Sequence, residues 1–121
     1  MAKILLVDDS PLLLKIGKSL LEKSGHRVFT ANNGLEAVPA AKKESPQIIF
    51  MDAEMPDMDG AAACRAIKSD AATKKIPVYI CTGHDLTPDQ TKVFHSAGAE
   101  GCLQKPFKAE EMLALVSKHA K

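Results

Sequence analysis

Five polar residues each follow a short apolar run and could together form a reactive site: Asp8, Asp9, Asp52, Thr82 and Lys105. Three carboxylates in one pocket repel one another strongly unless a cation lies between them. Such a set of oxygen ligands suits Mg²⁺, which also binds phosphate oxygens. A lysine and a hydroxyl can stabilise a phosphoryl group in transfer, and an aspartate can act as its nucleophile. These residue types therefore indicate phosphoryl transfer, provided that the fold brings them together.

The apolar runs predict the strands of a parallel sheet. Ile4 to Val7, Ile48 to Met51 and Val78 to Cys81 are continuously apolar, which is typical of strands covered on both faces. His26 to Ala31 and Gly101 to Gln104 are weaker candidates that resemble edge strands. Parallel strands all end at one edge of their sheet, so the polar residues that follow them should share one crevice.

Five amphipathic stretches alternate with these runs and predict helices. Ser10 and Pro11 should cap and begin the first helix, and Gly25 should follow its end. Pro39 lies inside the second stretch and is expected to kink or delay that helix. The apolar face of the first helix should consist of Leu13, Ile16, Gly17, Leu20 and Leu21. The second, third and fifth helices should span Leu35 to Glu44, Ala61 to Ser69 and Lys108 to His119. The fourth should open with the capping box Thr87 to Gln90. Five β-then-α units with right-handed crossovers predict a doubly wound α/β fold.

Composition and charge exclude several classes of protein. The 121 residues fit a single domain over residues 1–121. Sixteen basic and 15 acidic residues give a net charge of +1, without the basic excess that nucleic-acid binding requires. No apolar run approaches the roughly 20 residues of a membrane span. The three cysteines form no C-x-x-C pair, and no export signal is present, which indicates reduced thiols in the cytoplasm.

Each motif also has a purely structural explanation. Asp8 to Pro11 could be only a helix cap, and Met55 to Gly60 could be only a tight turn. A single lysine such as Lys105 is more often solvated than bound to a ligand. The functional interpretation therefore depends on the joint occurrence of these motifs at successive strand ends.

Four motifs, spread along the chain from Lys3 to about Lys118, resemble those of a known family. They are Ile-Leu-Leu-Val-Asp8-Asp9-Ser, Met51-Asp52-Ala-Glu-Met-Pro56-Asp-Met-Asp59-Gly60, Thr82-Gly83 and Lys105-Pro106-Phe107. Together they resemble the receiver domains of two-component response regulators. Chemotaxis receivers have the flavodoxin-like strand order 2-1-3-4-5. The resemblance therefore implies a flavodoxin-like (βα)5 doubly wound parallel sheet.

The resemblance also implies a role for each site residue. Asp52 would accept a phosphoryl group from the phosphohistidine of a histidine kinase or phosphotransfer protein. Mg²⁺ would be held by Asp9 directly, by Asp8 largely through water, by Asp52, and by the backbone carbonyl of Glu54.

Two further residues would then respond to the phosphoryl group. Lys105 would pair with its oxygens, and Thr82 would swing to donate a hydrogen bond to them. The bond between Lys105 and Pro106 would be cis, as is typical of the family.

A switch of conformation is the implied output. The phosphoryl group adds charge and acceptor oxygens, and it can shift an equilibrium only through contacts that differ between the two states. The fourth helix, with few apolar anchors beyond Val93 and Phe94, is expected to move. With the fifth strand and fifth helix it would form the face that binds a downstream protein. We expect a phosphoacceptor that can dephosphorylate itself and is not an enzyme. It should be a monomer or a weak dimer, and it should bind neither nucleic acid nor membrane.

Three residues depart from the family pattern or are of special interest. Cys102 stands three residues before the lysine, where the family usually carries Tyr or Phe, so transmission is expected through loop and helix shifts. The simplest expectation for Cys102 itself is a buried, inert thiol. Glu54 and His84 lie two residues after Asp52 and Thr82, and we hypothesise that they tune the lifetime of the phosphoryl group. The alternative is a pair of solvated rim residues.

Other functions on this fold fit the sequence less well. A flavin carrier needs a Ser-, Thr- and Gly-rich phosphate loop where Asp8 and Asp9 stand. A phosphohydrolase of the Asp-x-Asp type lacks its second aspartate between Leu6 and Pro11. A module that binds partners without phosphorylation would not require all five site residues. A stand-alone receiver and a domain of a larger protein both remain compatible with the sequence.

Overall fold

The computed structural model describes residues 2–55, 58–83, 86–105 and 108–119. Five strands alternate with five helices in the order β1 (Lys3–Val7), α1 (Pro11–Glu22), β2 (Arg27–Ala31), α2 (Gly34–Glu44), β3 (Ile48–Asp52), α3 (Gly60–Ser69), β4 (Val78–Thr82), α4 (Pro88–Ser96), β5 (Gly101–Gln104) and α5 (Ala109–His119). The strands form one parallel sheet in the order β2-β1-β3-β4-β5. The predicted fold and strand order are therefore confirmed.

The sheet buries both of its faces, as the continuous apolar runs predict. Successive residues of β3 point to opposite sides, so Ile49 and Met51 join one core while Ile48 and Phe50 join the other. The first core lies under α2 and α3, and the second lies under α1 and α5. All five residues of β3 and of β4 are buried. These two strands are thus a rigid base for the side chains at their carboxyl ends.

The predicted apolar face of α1 is partly wrong. Leu14, Gly17 and Leu21 are the buried residues of α1, whereas Ile16 is 43% exposed. The helix carries leucine or isoleucine around most of its circumference, so periodicity alone does not select the side that packs on the sheet.

Pro39 neither delays nor ends α2, which begins at Gly34 behind the cap Asn33. Proline removes the hydrogen bond to the carbonyl four residues earlier, that of Leu35. Both residues are exposed, so water can bind this carbonyl instead.

No helix in the described part of the chain is long and apolar enough to cross a bilayer.

Candidate functional site

The carboxyl edge of the sheet brings the five predicted site residues together. Asp52 and Thr82 are the last residues of β3 and β4, Asp8 and Asp9 follow β1, and Lys105 follows β5. Asp8, Asp52 and Thr82 are buried, and Asp9 is exposed at the mouth of the site. Burial of two carboxylates without compensation is costly, so the residues around them must hold them in place.

Asp8 is fixed by the turn that leads into α1. Its backbone N–H donates to the carbonyl of Ala31 at 3.2 Å, and its Oδ1 accepts from the backbone N–H of Ser10 at 3.0 Å. The Ser10 hydroxyl in turn accepts from the N–H of Leu13 and caps the helix. The helix-cap interpretation of this motif is thus confirmed. The same turn places Asp8 at the carboxyl edge of the sheet, and its functional role stays a prediction.

Gly60 lets α3 begin directly against the strand that carries Asp52. A Cβ atom at position 60 would collide with the carbonyl oxygen of Asp52. The N–H of Gly60 donates to the carbonyl of Ala53 at 3.0 Å, and Asp59 caps the helix by accepting from the N–H of Ala62 at 2.8 Å. The glycine therefore positions the backbone of Asp52, a role that the sequence alone did not reveal.

Lys105 bridges the two buried carboxylates. Its Nζ lies 2.9 Å from Asp52 Oδ1 and 2.8 Å from Asp8 Oδ2, and its side chain is only 15% exposed. Its backbone N–H donates to the carbonyl of Thr82 at 2.7 Å, which ties the end of β5 to the end of β4. The lysine predicted at this edge is thus held between the two buried carboxylates and is not a solvated side chain.

The surroundings raise the pKa values of both Asp52 and Lys105. Burial raises the pKa of Asp52 to about 6, and the charge of Asp8 adds to this rise, although the Lys105 ammonium opposes it. Burial alone would lower the pKa of Lys105, but the two carboxylates outweigh burial and raise it. Lys105 therefore stays a cation at neutral pH, whereas Asp52 keeps its proton to a higher pH than an ordinary aspartate, and a cation bound beside it would favour its ionised form.

The three carboxylates can hold a metal ion. Asp8, Asp9 and Asp52 each offer an oxygen, and these oxygens lie within 4.8 Å of one another. Asp8 Oδ2 is buried and accepts no hydrogen bond of acceptable angle from the described residues, although Lys105 Nζ is close. An all-oxygen set with open positions suits Mg²⁺. The backbone N–H of Glu54 lies 3.5 Å from Asp52 Oδ1, and its carbonyl as a ligand stays a prediction.

The residues that depart from the family pattern have mixed outcomes. Cys102 is half-buried rather than buried, and burial raises the pKa of its thiol, which disfavours the reactive thiolate. Glu54 is exposed beside the site. His84, Pro56 and the expected cis bond between Lys105 and Pro106 fall outside the described residues.

Comparison with known proteins identifies the family. A model described as the response regulator receiver domain matches residues 4–117. Protein PilH of Pseudomonas aeruginosa is 41% identical over 118 residues, which are 97% of this chain and 96% of that protein. Protein PilG of the same organism is 35% identical over 117 residues, which are 97% of this chain and 86% of that protein.

Solved structures agree with this family. Chemotaxis protein CheY4 of Vibrio cholerae superposes with a TM-score of 0.91 at 32% identity, covering 98% of both chains. The receiver domain of a sensor histidine kinase from Pseudomonas aeruginosa, described with a magnesium ion coordinated in its active site cleft, gives a TM-score of 0.88 at 30% identity. That match covers 98% of this chain and 96% of the other. The chain therefore belongs to the response regulator receiver domain family.

Proposed function

We propose that Asp52 accepts a phosphoryl group from a phosphohistidine in a Mg²⁺-dependent reaction that switches a partner-binding face. One observation carries this proposal: Lys105 Nζ contacts both Asp52 and Asp8, in a pocket where Asp9 supplies a third carboxylate. A cation held between carboxylates is suited to pairing with phosphoryl oxygens once one carboxylate has reacted.

The proposed reaction forms one bond and breaks one. A carboxylate oxygen of Asp52 attacks the phosphorus of a phosphohistidine whose other ring nitrogen carries a proton. The bond from phosphorus to nitrogen breaks, its electron pair stays on the nitrogen, and an acyl phosphate and a neutral imidazole result. Mg²⁺, held by Asp8, Asp9, Asp52 and the backbone carbonyl of Glu54, would supply charge neutralisation for the phosphoryl oxygens. Lys105, which contacts Asp52 and Asp8, would also neutralise these oxygens, and the nearly complete burial of Asp52 strengthens this attraction.

The proposal is tested by phosphorylation with a small donor. We expect the protein to gain phosphoryl mass in Mg²⁺ and acetyl phosphate, and to bind beryllofluoride. Asp52→Ala should abolish both responses, whereas Asp70→Ala, at the partly exposed position that ends α3 away from the site, should leave them unchanged. A wild-type protein that gains no mass and does not respond to beryllofluoride would contradict the phosphoacceptor role.

A protein donor, a histidine kinase or phosphotransfer protein, is supported by the outer side of α1. Leu12 is 66% exposed and Ile16 is 43% exposed one turn later, on the helix that follows Asp8 and Asp9. Exposed leucine and isoleucine at this spacing suit packing against a partner helix. Replacing both with serine should leave labelling by acetyl phosphate intact and slow labelling by a phosphohistidine protein. Equal loss with both donors would point to misfolding instead.

The face formed by α4, β5 and α5 is the proposed output surface. Helix α4 buries none of its described side chains, and a hollow of about 430 Å³ lies between Leu86, Cys102 and Lys108. This hollow also reaches Lys105, which connects the surface with the phosphorylation site. Beryllofluoride should therefore change amide exchange in α4. Equal protection of α4 with and without beryllofluoride would count against this face as the switch.

A further inference from the structure

A second cleft, of about 340 Å³, opens between the start of α3 and the side of α4 that carries Asp89, Gln90, Val93 and Phe94. It lies across the end of β4 from the hollow that borders Lys105, and none of its described lining residues belongs to β5 or α5. Its inner end reaches Thr82. Its described lining includes none of Asp8, Asp9 and Asp52, although Glu54, whose carbonyl is a predicted Mg²⁺ ligand, lines it.

The wall of this cleft is mainly apolar. Ala53 and Ala61 lie at its base, and both are buried. Val93 and the half-buried ring of Phe94 form the side contributed by α4. The small alanines leave space, and the exposed valine and phenylalanine leave apolar surface in water. Such a surface is suited to the aliphatic part of a side chain.

The rim of the cleft is acidic. Glu54, Asp59 and Asp89 contribute carboxylates from three different segments, and all three are exposed. The described lining residues include no lysine, arginine or histidine. Asp89 makes no ion pair or side-chain hydrogen bond within residues 2–55, 58–83, 86–105 and 108–119. The electrostatic potential at the mouth therefore favours a cation.

We propose that this cleft binds an arginine side chain of a protein partner. The aliphatic stem would cover Ala61 and Val93, and the guanidinium would stack on Phe94 while it donates to the rim carboxylates. Arginine fits better than lysine, because its planar group both stacks on aromatic rings and donates to several carboxylates at once. This partner contact is separate from the α4-β5-α5 face.

A consequence that rests on the proposed function concerns Thr82. If phosphorylation of Asp52 draws Thr82 inward, the inner end of the cleft changes shape. Arginine affinity and phosphorylation are then linked, and each must change the other by the same factor. Arginine binding to the unphosphorylated protein does not depend on this step, so the two ideas fail separately.

The test uses nuclear magnetic resonance of the full chain in saturating Mg²⁺, with N-acetyl-arginine amide as the probe. We expect saturable shifts at the amides of Ala53, Ala61 and Val93. The citrulline analogue, which has the same shape without the charge, should bind several-fold more weakly. Asp89→Asn should weaken arginine binding by about threefold. Asp70→Asn, a carboxylate paired with Lys42 at the far end of α3, should leave it unchanged.

Three results would overturn the proposal. One is equal binding of the citrulline analogue, which would show that charge plays no part. Another is an equal loss with Asp70→Asn and Asp89→Asn, which would place the effect in overall charge. The third is a shift of the same amides on raising protein concentration without probe, which would assign the cleft to a second copy of the chain. An arginine affinity that beryllofluoride leaves unchanged would overturn the link to Thr82.

Discussion

Helices α3 and α4 follow the two strands that end in Asp52 and Thr82, yet the two helices are attached to the protein very differently. Helix α3 buries five of its ten residues, whereas α4 buries none of its nine. The difference begins at the strand ends, because Gly60 packs α3 directly against the carbonyl of Asp52. The side of the site that holds the proposed acceptor is therefore closely packed, and the helix next to Thr82 is packed more loosely.

The amino-acid sequences of α3 and α4 explain why α3 is buried and α4 is not. Helix α3 begins Gly-Ala-Ala-Ala-Cys, and such small residues allow the helix to approach the sheet closely. Helix α4 reads Pro-Asp-Gln-Thr-Lys-Val-Phe-His-Ser and has little apolar surface to bury. Its first turn is instead held locally, by a capping box between Thr87 and Gln90 and by Pro88. Phe94 is the side chain of α4 that packs, half-buried, against the core, so the helix is anchored far less than α3.

The largest expected difference in the free energy of unfolding is between truncating a buried side chain of α3 and truncating an exposed side chain of α4. Ile67 of α3 is fully buried, so Ile67→Ala should lower the free energy of unfolding by about 2–5 kcal/mol. Val93 of α4 is 52% exposed, so Val93→Ala should change it by no more than about 0.5 kcal/mol. Urea denaturation of both variants measures this. A comparable loss for Val93→Ala would mean that α4 is anchored after all.

Charge at the end of β3 gives the next effect. Because the pKa of Asp52 is raised from 3.8 to about 6 in the folded protein, unfolding releases a proton between these values and stability falls as pH rises through them. In EDTA, Asp52→Asn should therefore stabilise the protein by up to about 3 kcal/mol at pH 7, and by little near pH 4.

The matched control for this prediction lies on α4. Asp89 is exposed and makes no ion pair with the described residues, so Asp89→Asn should leave the free energy of unfolding nearly unchanged at every pH. Urea denaturation at several pH values in EDTA compares the two variants. A gain for Asp52→Asn that does not depend on pH would contradict ionisation as its cause.

Gly60 at the start of α3 and Gly83 after β4 allow a direct comparison of the two sides of the site. Gly60→Ala places a methyl group against the backbone of Asp52 and should cost about 1–3 kcal/mol. Gly83 directly follows β4, and a Cβ there would meet no atom within 4 Å, so Gly83→Ala should cost no more than about 0.5 kcal/mol. Thermal unfolding of both variants measures the difference. Equal costs would show that close packing at Gly60 can relax.

Local sequence was sufficient for the fold and for most of the polar residues that gather at the carboxyl edge of the sheet. Continuous apolar runs define the strands, and the rule that parallel strands end at one edge places Asp8, Asp52 and Thr82 together. Ile16 was assigned to the core in error, because a helix with apolar residues on several sides does not specify which side packs.

Contacts between distant segments were beyond the reach of the sequence. Lys105 contacts both Asp8 and Asp52, and Asp89 lies on the rim of a cleft with Glu54. Both arrangements depend on how far each loop extends past its strand and on how each helix sits on the sheet. These are properties of tertiary packing, which residue spacing does not encode.

The caps of the two helices give the smallest and most specific test of the difference between them. Asp59 caps α3 and Thr87 caps α4, each through a side-chain oxygen that accepts a backbone N–H. Asp59→Ala should lower the global free energy of unfolding by about 1 kcal/mol, because α3 unfolds only with the core. Thr87→Ala should leave the global value unchanged, since α4 can open alone. Its loss should appear as about fivefold faster amide exchange confined to α4. If exchange instead rose equally in α3 and α4, the two helices would open together, and the mobile side of the site would not exist as a separate unit.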